Sequence, residues 1–531
     1  MTIKSKYLYL TISLLLFAAA WCFWTMKYPY ALAYHEQIQL FIMDSEYFME
    51  RVAMPGGLAR YMGEFLVQMY SLPVLGGAII ALLYTAIHLS VWQLARKRCK
   101  AQTTGYLMSA MPMLALWMYM GDENMKLTFV VALLTALLAM MLCPPASKRW
   151  CKLAYMVVAT PLLMWIAGPV VLVFALYVAL RDLVTYKSVG EQQTRSLSLG
   201  NIGYGIFIML LAIGCILVSS RFVEAPLYRL FCGIGYSMDI ENLSMMQCIV
   251  MLLTAIVPVT LAWLPEMKRK TEACVAAASF SVLLIAFGIG CQYTYREDVY
   301  DVMKYDGMVR AQKWDKIIAT AEKKAPDSPL TVASLNLALA IKGCLNERAM
   351  SFYQNGWQGA FPMFNKGAQT SFMTSETYFY LGMVNSAQRL NFEAMEALPD
   401  NAKSARGVKR LAETNLINGQ YDVARRYLML LQKTMFYRTW ATQTMALLGN
   451  EAAIDSHPLY GHLRKIRLRK RFAFSEEEID KIMGQLVMTN PKNVLAVQYL
   501  LLLPQLEGNE QKYAMYREFV NSTLKEKDDK E

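Results

Sequence analysis

Eight long runs of apolar residues fill the first 291 positions and constrain the fold more than any other feature. A helix that crosses a bilayer needs about 20 predominantly apolar residues, and each run reaches or approaches that length. This part of the chain is therefore predicted to be a bundle of membrane-spanning helices. The runs occur at residues 7–26, 72–95, 106–120, 127–143, 153–180, 200–219, 248–264 and 273–291.

Charged residues divide the 531-residue chain at about residue 291. Residues 1–291 hold 21 Lys or Arg and 14 Asp or Glu, whereas residues 292–531 hold 32 and 27. These counts are about 12% and about 25% of each part, and the second share is typical of soluble domains. The sequence therefore predicts a polytopic transmembrane domain at 1–291 and a water-soluble domain at 292–531.

The basic excess carries little information about partners. The net charge of +12 divides into +7 and +5, so neither half has the concentrated basic surface of a nucleic-acid-binding protein. We expect no nucleic-acid partner. The ten cysteines lie mostly in apolar segments and lack the paired Cys or His spacing of a zinc site, so no metal site is predicted.

The run at 153–180 is too long for one comfortable span, and a Gly-Pro pair at 168–169 interrupts it. Basic residues precede it at 148–149 and follow it at Arg181. Because basic loops stay in the cytoplasm, the run is predicted to be a hairpin of two short helices. The total is then about nine spans, with a cytoplasmic N-terminus and an extracytoplasmic C-terminal domain.

Two sets of loops follow from this topology. In a Gram-negative cell the protein would lie in the inner membrane, and the outer loops would face the periplasm. The predicted cytoplasmic loops are at residues 96–98, 148–149, 181–195 and 268–270. The predicted outer segments are residues 27–71, 121–126, 221–247 and everything after residue 291.

From residue 298 onward the pattern changes to amphipathic helices with short self-similar stretches. Residues 311–329 and 418–434 both place an aromatic residue before a small residue at helical spacing. The pairs are Trp314 with Ala321 and Tyr421 with Ala424. Together these stretches resemble degenerate tetratricopeptide (TPR) repeats over about residues 300–520. The resemblance implies an α-helical solenoid with a concave face for partner proteins, and a simple helical domain is the alternative.

The segment 34–73 carries the most informative polar residues. It predicts a helix, a sharp turn at Pro55-Gly56-Gly57 and a second helix. In the second helix Arg60, Glu64 and Gln68 recur every four residues and form one polar stripe. Two explanations remain open. Either these charges solvate a helix that lies flat on the bilayer, or they face a cavity at the membrane surface.

The topology, the acidic first outer loop, the short internal helices and the repeat tail are together similar to the GT-C class of glycosyltransferases. This resemblance implies transfer of a sugar from a polyprenyl-phosphate donor, with an acidic residue as general base or metal ligand. The string Asp44-Ser45-Glu46 matches the acidic motif only loosely. The chain also resembles a family of uncharacterised polytopic proteins that share the YHEQ and PGG elements, at 34–37 and 55–57. That second resemblance implies no activity.

If sugar transfer is correct, Asp44 is the predicted general base, because a nearby carboxylate can take the proton from an acceptor hydroxyl. Glu46, Glu36 and His35 are predicted to share the catalytic site. The donor phosphate needs cations, and a guanidinium can bind phosphate through two hydrogen-bond donors. Each of the four candidate arginines, Arg51, Arg60, Arg221 and Arg229, could equally be an interfacial anchor. The predicted substrate-binding residues are Arg51, Arg60, Glu64, Arg221 and Arg229. The cofactor is not predicted, although a divalent cation would suit this chemistry.

A membrane-anchored scaffold is the alternative function. In that case the TPR-like domain binds a partner protein and the membrane helices serve only as an anchor. Nine helices exceed what an anchor needs, because one span suffices. The sequence therefore favours an activity within the membrane domain, with membrane lipid, including a polyprenyl-phosphate sugar, as its partner.

Overall fold

The computed structural model describes residues 3–145, 148–189, 192–197, 199–363, 367–400, 402–468 and 478–528. These residues are mainly helical, and the exception is one short antiparallel hairpin of two strands. Contacts divide the chain into two compact units. The N-terminal unit comprises Met1–Glu36 and Met43–Arg296, and the C-terminal unit comprises Gln37–Ile42 and Glu297–Glu531.

The N-terminal unit contains the long apolar helices and the strand hairpin. A π-helical turn, Phe23–Lys27, extends the first helix, and single 3-10 turns follow two others, at Met69–Ser71 and Leu261–Trp263. The elements are α1 (Ile3–Cys22), α2 (Pro29–Gln37), α3 (Ser45–Val52), α4 (Gly57–Gln68), α5 (Pro73–Ala95), α6 (Gln102–Met108), α7 (Met111–Tyr119), α8 (Leu127–Leu142), α9 (Arg149–Ala167), α10 (Val171–Leu183), β1 (Val184–Val189), β2 (Gln192–Leu197), α11 (Leu199–Ser219), α12 (Leu227–Cys232), α13 (Met245–Thr260) and α14 (Arg269–Thr294).

Within the described residues, six helical segments are long and apolar enough to cross a membrane. The other segments predicted to span form shorter helices, so nine spans are not confirmed. Helix α8 has 16 residues, α10 has 13, and residues 102–119 are divided between α6 and α7. The six segments are Tyr7–Lys27, Pro73–Ala95, Trp150–Ala167, Ile202–Ser219, Met245–Trp263 and Arg269–Thr294.

The predicted break inside residues 153–180 is present. Helix α9 ends at Ala167, and α10 begins at Val171. Between them Gly168 has a φ of +82°, in the left-handed region that glycine adopts at little cost. The Gly-Pro pair therefore separates two helices, as its sequence indicated.

One set of helix ends brings together segments that are far apart in the chain. The Gly56 amide, in the first predicted outer loop, donates a 2.8 Å hydrogen bond to the Trp165 carbonyl near the end of α9. The Lys126 amide, just before α8, donates a 2.9 Å hydrogen bond to the Tyr236 carbonyl. Three of the segments predicted as outer turns or loops, and the turn at 168–170, therefore meet at one end of the helices.

The opposite helix ends also meet. The Thr103 amide donates a 2.7 Å hydrogen bond to Oε1 of Glu272 at the start of α14. A guanidinium nitrogen of Arg181 donates to the Pro144 carbonyl at 3.0 Å, and Arg98 donates to the Arg181 carbonyl at 3.4 Å. These contacts join segments at or next to the loops predicted to be cytoplasmic.

Shorter helices build the C-terminal unit, with 3-10 turns at Ala349–Ser351 and Gly356–Gly359. Helices adjacent in the chain pack in pairs, such as the two that begin at Ala405 and Tyr421. The helices are α15 (Glu297–Arg310), α16 (Trp314–Lys323), α17 (Pro329–Ile341), α18 (Leu345–Arg348), α19 (Ala368–Leu381), α20 (Val384–Glu396), α21 (Ala405–Ile417), α22 (Tyr421–Gln432), α23 (Arg438–Met445), α24 (Glu451–Ser456), α25 (Tyr460–Ile466), α26 (Ile479–Thr489), α27 (Val494–Glu507) and α28 (Glu510–Asp528).

The small residues predicted at helix crossings are buried, with Ala321 at 2% and Ala424 at 0% exposure. The paired aromatic residues, Trp314 and Tyr421, are only partly buried. Small buried residues let neighbouring helices approach closely, which suits stacked helix pairs. The TPR-like solenoid itself stays a prediction.

Six residues from the first predicted outer loop belong to the core of the C-terminal unit. In this segment, Gln37–Ile42, the Leu40 amide donates a 2.7 Å hydrogen bond to the Lys403 carbonyl. The Leu40 side chain is buried in an apolar cluster with Val408, Leu428 and other residues of α21 to α23. The C-terminal unit is therefore completed by a segment more than 250 positions earlier in the sequence.

Candidate functional site

Asp44, the predicted general base, begins helix α3. Its backbone is extended, with φ −143° and ψ 145°, and its carboxylate accepts a 3.4 Å hydrogen bond from the Glu46 amide. An aspartate at this position satisfies an amide that has no partner within the helix. Glu46 itself is exposed in the first turn, where a negative charge interacts favourably with the positive end of the helix dipole. Asp44 thus caps helix α3 and Glu46 lies in its first turn. The catalytic role of both acids stays a prediction.

His35 and Glu36 lie near the end of α2, and their side chains are buried. They are only 4% and 3% exposed, respectively. Burial and the positive charge of Lys126 together lower the pKa of His35 to about 4. Its imidazole is therefore neutral at neutral pH, with one nitrogen that donates and one that accepts. A neutral imidazole can accept one proton and donate another, so His35 keeps both capacities while buried.

Glu64, in the middle of the predicted polar stripe, pairs with two arginines from different helices, Arg51 of α3 and Arg60 of α4. Nε of Arg51 donates to one carboxylate oxygen of Glu64 at 2.9 Å, and Nε of Arg60 donates to the other at 2.9 Å. All three residues are buried. Burial alone would raise the pKa of Glu64, but the charges of Arg60 and Arg51 outweigh burial and lower it. The carboxylate is therefore ionised at neutral pH.

Tyr47 completes this cluster from helix α3. Its hydroxyl donates a 2.6 Å hydrogen bond to Glu64, and it accepts a 3.2 Å hydrogen bond from Arg51. The Arg51 guanidinium also lies 4.5 Å from the centre of the Tyr47 ring, a favourable cation–π distance. The cluster formed by Tyr47, Arg51, Arg60 and Glu64 is called the arginine cluster below.

The arginine cluster places two buried guanidinium groups around one buried carboxylate. Glu50 also pairs with Arg51 at 3.0 Å, but the Glu50 side chain is 56% exposed and so is screened by water. Buried positive charge of this kind attracts an anion.

Glycines allow the close packing that forms the cluster. A Cβ added to Gly57 would lie 1.8 Å from the Arg51 carbonyl oxygen, so only glycine fits directly after Gly56. On helix α4, a Cβ at Gly63 would lie 2.8 Å from the backbone of Thr128. The PGG turn therefore packs against α3. Helix α4, which follows the turn, packs against α8.

The two remaining predicted arginines lie in the 221–247 segment. Arg229 is buried in helix α12, whereas Arg221 is exposed after α11. The same segment approaches the arginine cluster at Gly235, whose added Cβ would lie 3.1 Å from Cδ of Arg60. The structure therefore unites Arg51, Arg60 and Glu64, and it places the 221–247 segment beside them.

Two contributors were not predicted from the sequence. Lys126 is 4% exposed beside His35, and Tyr47 bridges Arg51 and Glu64. Their signal was weak, because one lysine in a short turn and one tyrosine in an aromatic-rich loop are common surface features. Within the part of the chain that the structure describes, no group of three or more His, Cys, Asp or Glu residues is placed to hold a metal ion.

Family comparison accounts for nearly the whole chain. The pattern of a family of unknown function, DUF6057, matches residues 4–520. The chain belongs to this family. Because the DUF6057 match runs through both units, the membrane-length helices and the helical C-terminal unit are parts of one family architecture. No curated protein and no solved structure matches the chain.

Proposed function

We propose that this DUF6057 protein is a GT-C-like glycosyltransferase that uses a polyprenyl-phosphate-linked sugar at the outer face of the membrane. The observation that carries the proposal is the position of Lys126. Its charge acts on buried His35, and it lies two positions before Thr128, which packs against the helix of the arginine cluster. Buried His35 supplies a neutral imidazole, and buried Glu36 supplies a carboxylate. The arginine cluster supplies buried positive charge.

Lys126 connects the two parts of this site. Its charge acts on His35, and it directly precedes helix α8, whose Thr128 packs against Gly63 of the helix that holds Arg60 and Glu64. A phosphate placed among these cations would be stabilised electrostatically. Sugar transfer then requires a carboxylate within hydrogen-bond reach of the acceptor hydroxyl.

Glu36 is the general base in this proposal, in place of Asp44. Asp44 accepts the amide hydrogen bond that begins α3. Glu36 is buried and directly follows His35, a histidine held neutral, in the chain. Glu36 would take the acceptor proton as the hydroxyl attacks the sugar carbon and the polyprenyl phosphate leaves. His35 would position the carboxylate.

The two separate parts of the C-terminal unit favour an odd number of membrane crossings. The C-terminal unit includes Gln37–Ile42, in the loop after the first membrane-length helix, and it also follows the last such helix. Both segments must lie on the same side of the membrane, so an even number of crossings separates them. Six crossings in total would place five between them, which is odd. An odd total meets this requirement, and nine crossings, with the shorter helices included, are such a total.

The contacts at the helix ends support the same nine-span topology. Tyr295, which follows the last span, donates a 2.8 Å hydrogen bond to the Trp117 carbonyl near the predicted outer turn at 121–126. At the other end, the basic segments near Arg98 and Arg181 lie together. With basic loops inside, the proposal places the N-terminus in the cytoplasm and the C-terminal unit in the periplasm of an inner membrane.

The C-terminal unit would present or recruit the acceptor. We propose that its paired helices form a TPR-like solenoid, the architecture that commonly binds peptides and proteins. If the protein were a scaffold without catalysis, this unit would carry the whole function. Binding of a protein partner without any sugar transfer would favour that alternative.

The experiment uses full-length protein in nanodiscs with decaprenyl phosphate, the part shared by such donors, and with decaprenyl-phosphate-linked glucose and mannose. We expect saturable binding of decaprenyl phosphate and release of labelled sugar from one donor. Glu36→Gln should retain binding and lose at least about 100-fold in transfer rate. Asp44→Asn should retain most transfer.

Each part of the proposal can fail separately. Absence of decaprenyl phosphate binding would overturn the donor class. Full transfer by Glu36→Gln, together with loss of transfer by Asp44→Asn, would return the role of base to Asp44. Loss in both variants with normal binding would indicate that the two acids act together.

A further inference from the structure

The C-terminal unit contains a polar cavity of about 170 Å³ that the proposed transferase chemistry does not use. It lies among α15, α19 and α21, and Gln37 from the inserted segment forms part of its wall. The cavity belongs entirely to residues of the C-terminal unit.

One face of helix α21 supplies most of the charge. Arg406, Lys409, Arg410 and Glu413 line the cavity, and their spacing of three, one and three positions places them on one side of the helix. The spacing of this stripe is visible in the sequence, but the cavity that it lines was not predicted. An amphipathic helix usually directs such a face to solvent, whereas here the face lines a concave surface.

A network of ion pairs holds the two arginines in fixed positions. Glu376 accepts from Arg406 at 3.1 Å and from Arg410 at 2.5 Å. Arg406 also contacts Asp306 at 2.8 Å, and Arg410 contacts Glu413 at 2.7 Å. Burial would raise the pKa of Glu376, but Arg410 and Arg406 lower it to about 2. The guanidinium groups are therefore ordered before any ligand arrives.

Four cations and two carboxylates line the cavity. Behind its wall, Asp306 pairs with both Arg406 and Arg310. Lys409 lies 4.8 Å from the centre of the Trp440 ring, and no carboxylate in the described parts of the chain pairs with it. The ammonium of Lys409 is thus the cation best placed to meet an anion that enters the cavity.

The wall of the cavity also contains strained backbone. Gln312 has a φ of +52°, a conformation that is unusual for a residue other than glycine and that recurs at functional sites. Its side-chain nitrogen donates a 3.1 Å hydrogen bond to the Tyr380 hydroxyl. Gln37 and Tyr437 add further polar groups. Amide and phenol groups of this kind recognise hydroxyls.

We propose that this cavity binds a small hydroxylated oxyanion of about monosaccharide size, a sugar carboxylate or a sugar phosphate. The cations take the anionic group, because guanidinium and ammonium groups bind carboxylate and phosphate alike. Gln37, Gln312 and Tyr437 take the hydroxyls. The inference stands independently of the proposed transferase activity, since it concerns binding alone.

The test measures binding to full-length detergent-solubilised protein by calorimetry, with glucuronate, glucose 6-phosphate and neutral glucose as probes. We expect saturable binding of one or both anions and at least about tenfold weaker binding of glucose. The stronger anion identifies the carboxylate or phosphate class. Equal binding of all three probes, or binding of none, would overturn the proposal.

Two matched variants locate the site. Lys409→Gln should weaken binding of the preferred anion about tenfold, while the thermal unfolding temperature reports whether the protein remains folded. Arg426→Gln removes the same charge from an exposed position on α22 and should leave affinity unchanged. Unchanged affinity in Lys409→Gln, or equal weakening in both variants, would show that the anion does not bind in this cavity.

Discussion

Ser404 donates a 2.7 Å hydrogen bond from its hydroxyl to the backbone carbonyl of Gln37, 367 positions earlier in the chain. The same hydroxyl accepts a 3.1 Å hydrogen bond from the Gly407 amide and so caps helix α21. One side chain therefore both begins the helix that lines the cavity and anchors the inserted segment. Gln37, which accepts this hydrogen bond, directly follows Glu36 in the chain.

Ser404→Ala should release the segment Gln37–Ile42. Loss of the cap and of the second hydrogen bond should cost about 2 kcal/mol of local stability. Hydrogen exchange of the Leu40 amide, which donates to the Lys403 carbonyl, should accelerate. Ser328→Ala is the matched control, because Ser328 caps α17 with the same geometry but does not bind this segment. Equal acceleration in both variants would contradict the assigned role of Ser404.

Glu64→Gln should destabilise the N-terminal unit strongly. It leaves Arg51 and Arg60 buried without their shared carboxylate, and breaking a buried ion pair costs about 3 to 5 kcal/mol. Glu50→Gln, which removes an exposed partner of Arg51, should cost less than about 1 kcal/mol. Thermal unfolding in detergent, followed by tryptophan fluorescence, measures both. Similar shifts for the two variants would show that the cluster is not buried as described.

Gly57→Ala should prevent the PGG turn from closing. The added methyl group would lie 1.8 Å from the Arg51 carbonyl oxygen, a backbone atom that cannot move without shifting α3. We expect a large loss of monodisperse protein on size-exclusion chromatography. Gly214→Ala, within α11, meets no atom within 4 Å and should behave as the unaltered protein does. Normal yield of the Gly57 variant would exclude this turn geometry.

The low pKa of His35 predicts a pH-dependent stability. In the folded protein it is about 4, because of burial and Lys126, whereas an unfolded histidine has a pKa of about 6.5. As pH falls, the unfolded state takes up the proton first, so this contribution to stability is lost between about pH 6.5 and 4.

The measurement compares the unfolding free energy of the unaltered protein with that of His35→Gln across this range. The difference should be constant between about pH 7 and 8, where histidine is neutral in both states, and should decrease below about pH 6.5. A difference that stays constant down to pH 4.5 would show that His35 is not buried as a neutral group.

Apolar length and charge predicted the long apolar helices of the N-terminal unit, the break at Gly168-Pro169 and the helical C-terminal unit. These features depend on local periodicity and on the cost of burying charge, which a sequence displays directly. The PGG turn was also predicted, because Pro-Gly and Gly-Gly pairs are typical of turns. Helix length was predicted less well, since α8 and α10 are shorter than a full span.

The site was predicted only in part. The stripe of Arg60 and Glu64 at a spacing of four was visible, but its pairing with Arg51 and Tyr47 depends on how α3 packs against α4. The acidic string Asp44-Ser45-Glu46 predicted Asp44 as the general base, and in the fold Asp44 caps a helix. A carboxylate in sequence carries no sign of whether it will cap a helix or become buried.

The sequence by itself determined the helical class, the division into an apolar and a polar part, and the residues able to carry charge near the membrane. Only the tertiary structure decided that Gln37–Ile42 belongs to the C-terminal unit, that His35 and Glu36 are buried, and that the charged face of α21 lines a cavity. The physical reason is range. Periodicity and hydrophobicity act over a few turns of helix, whereas burial and charge pairing depend on neighbours that lie hundreds of positions away.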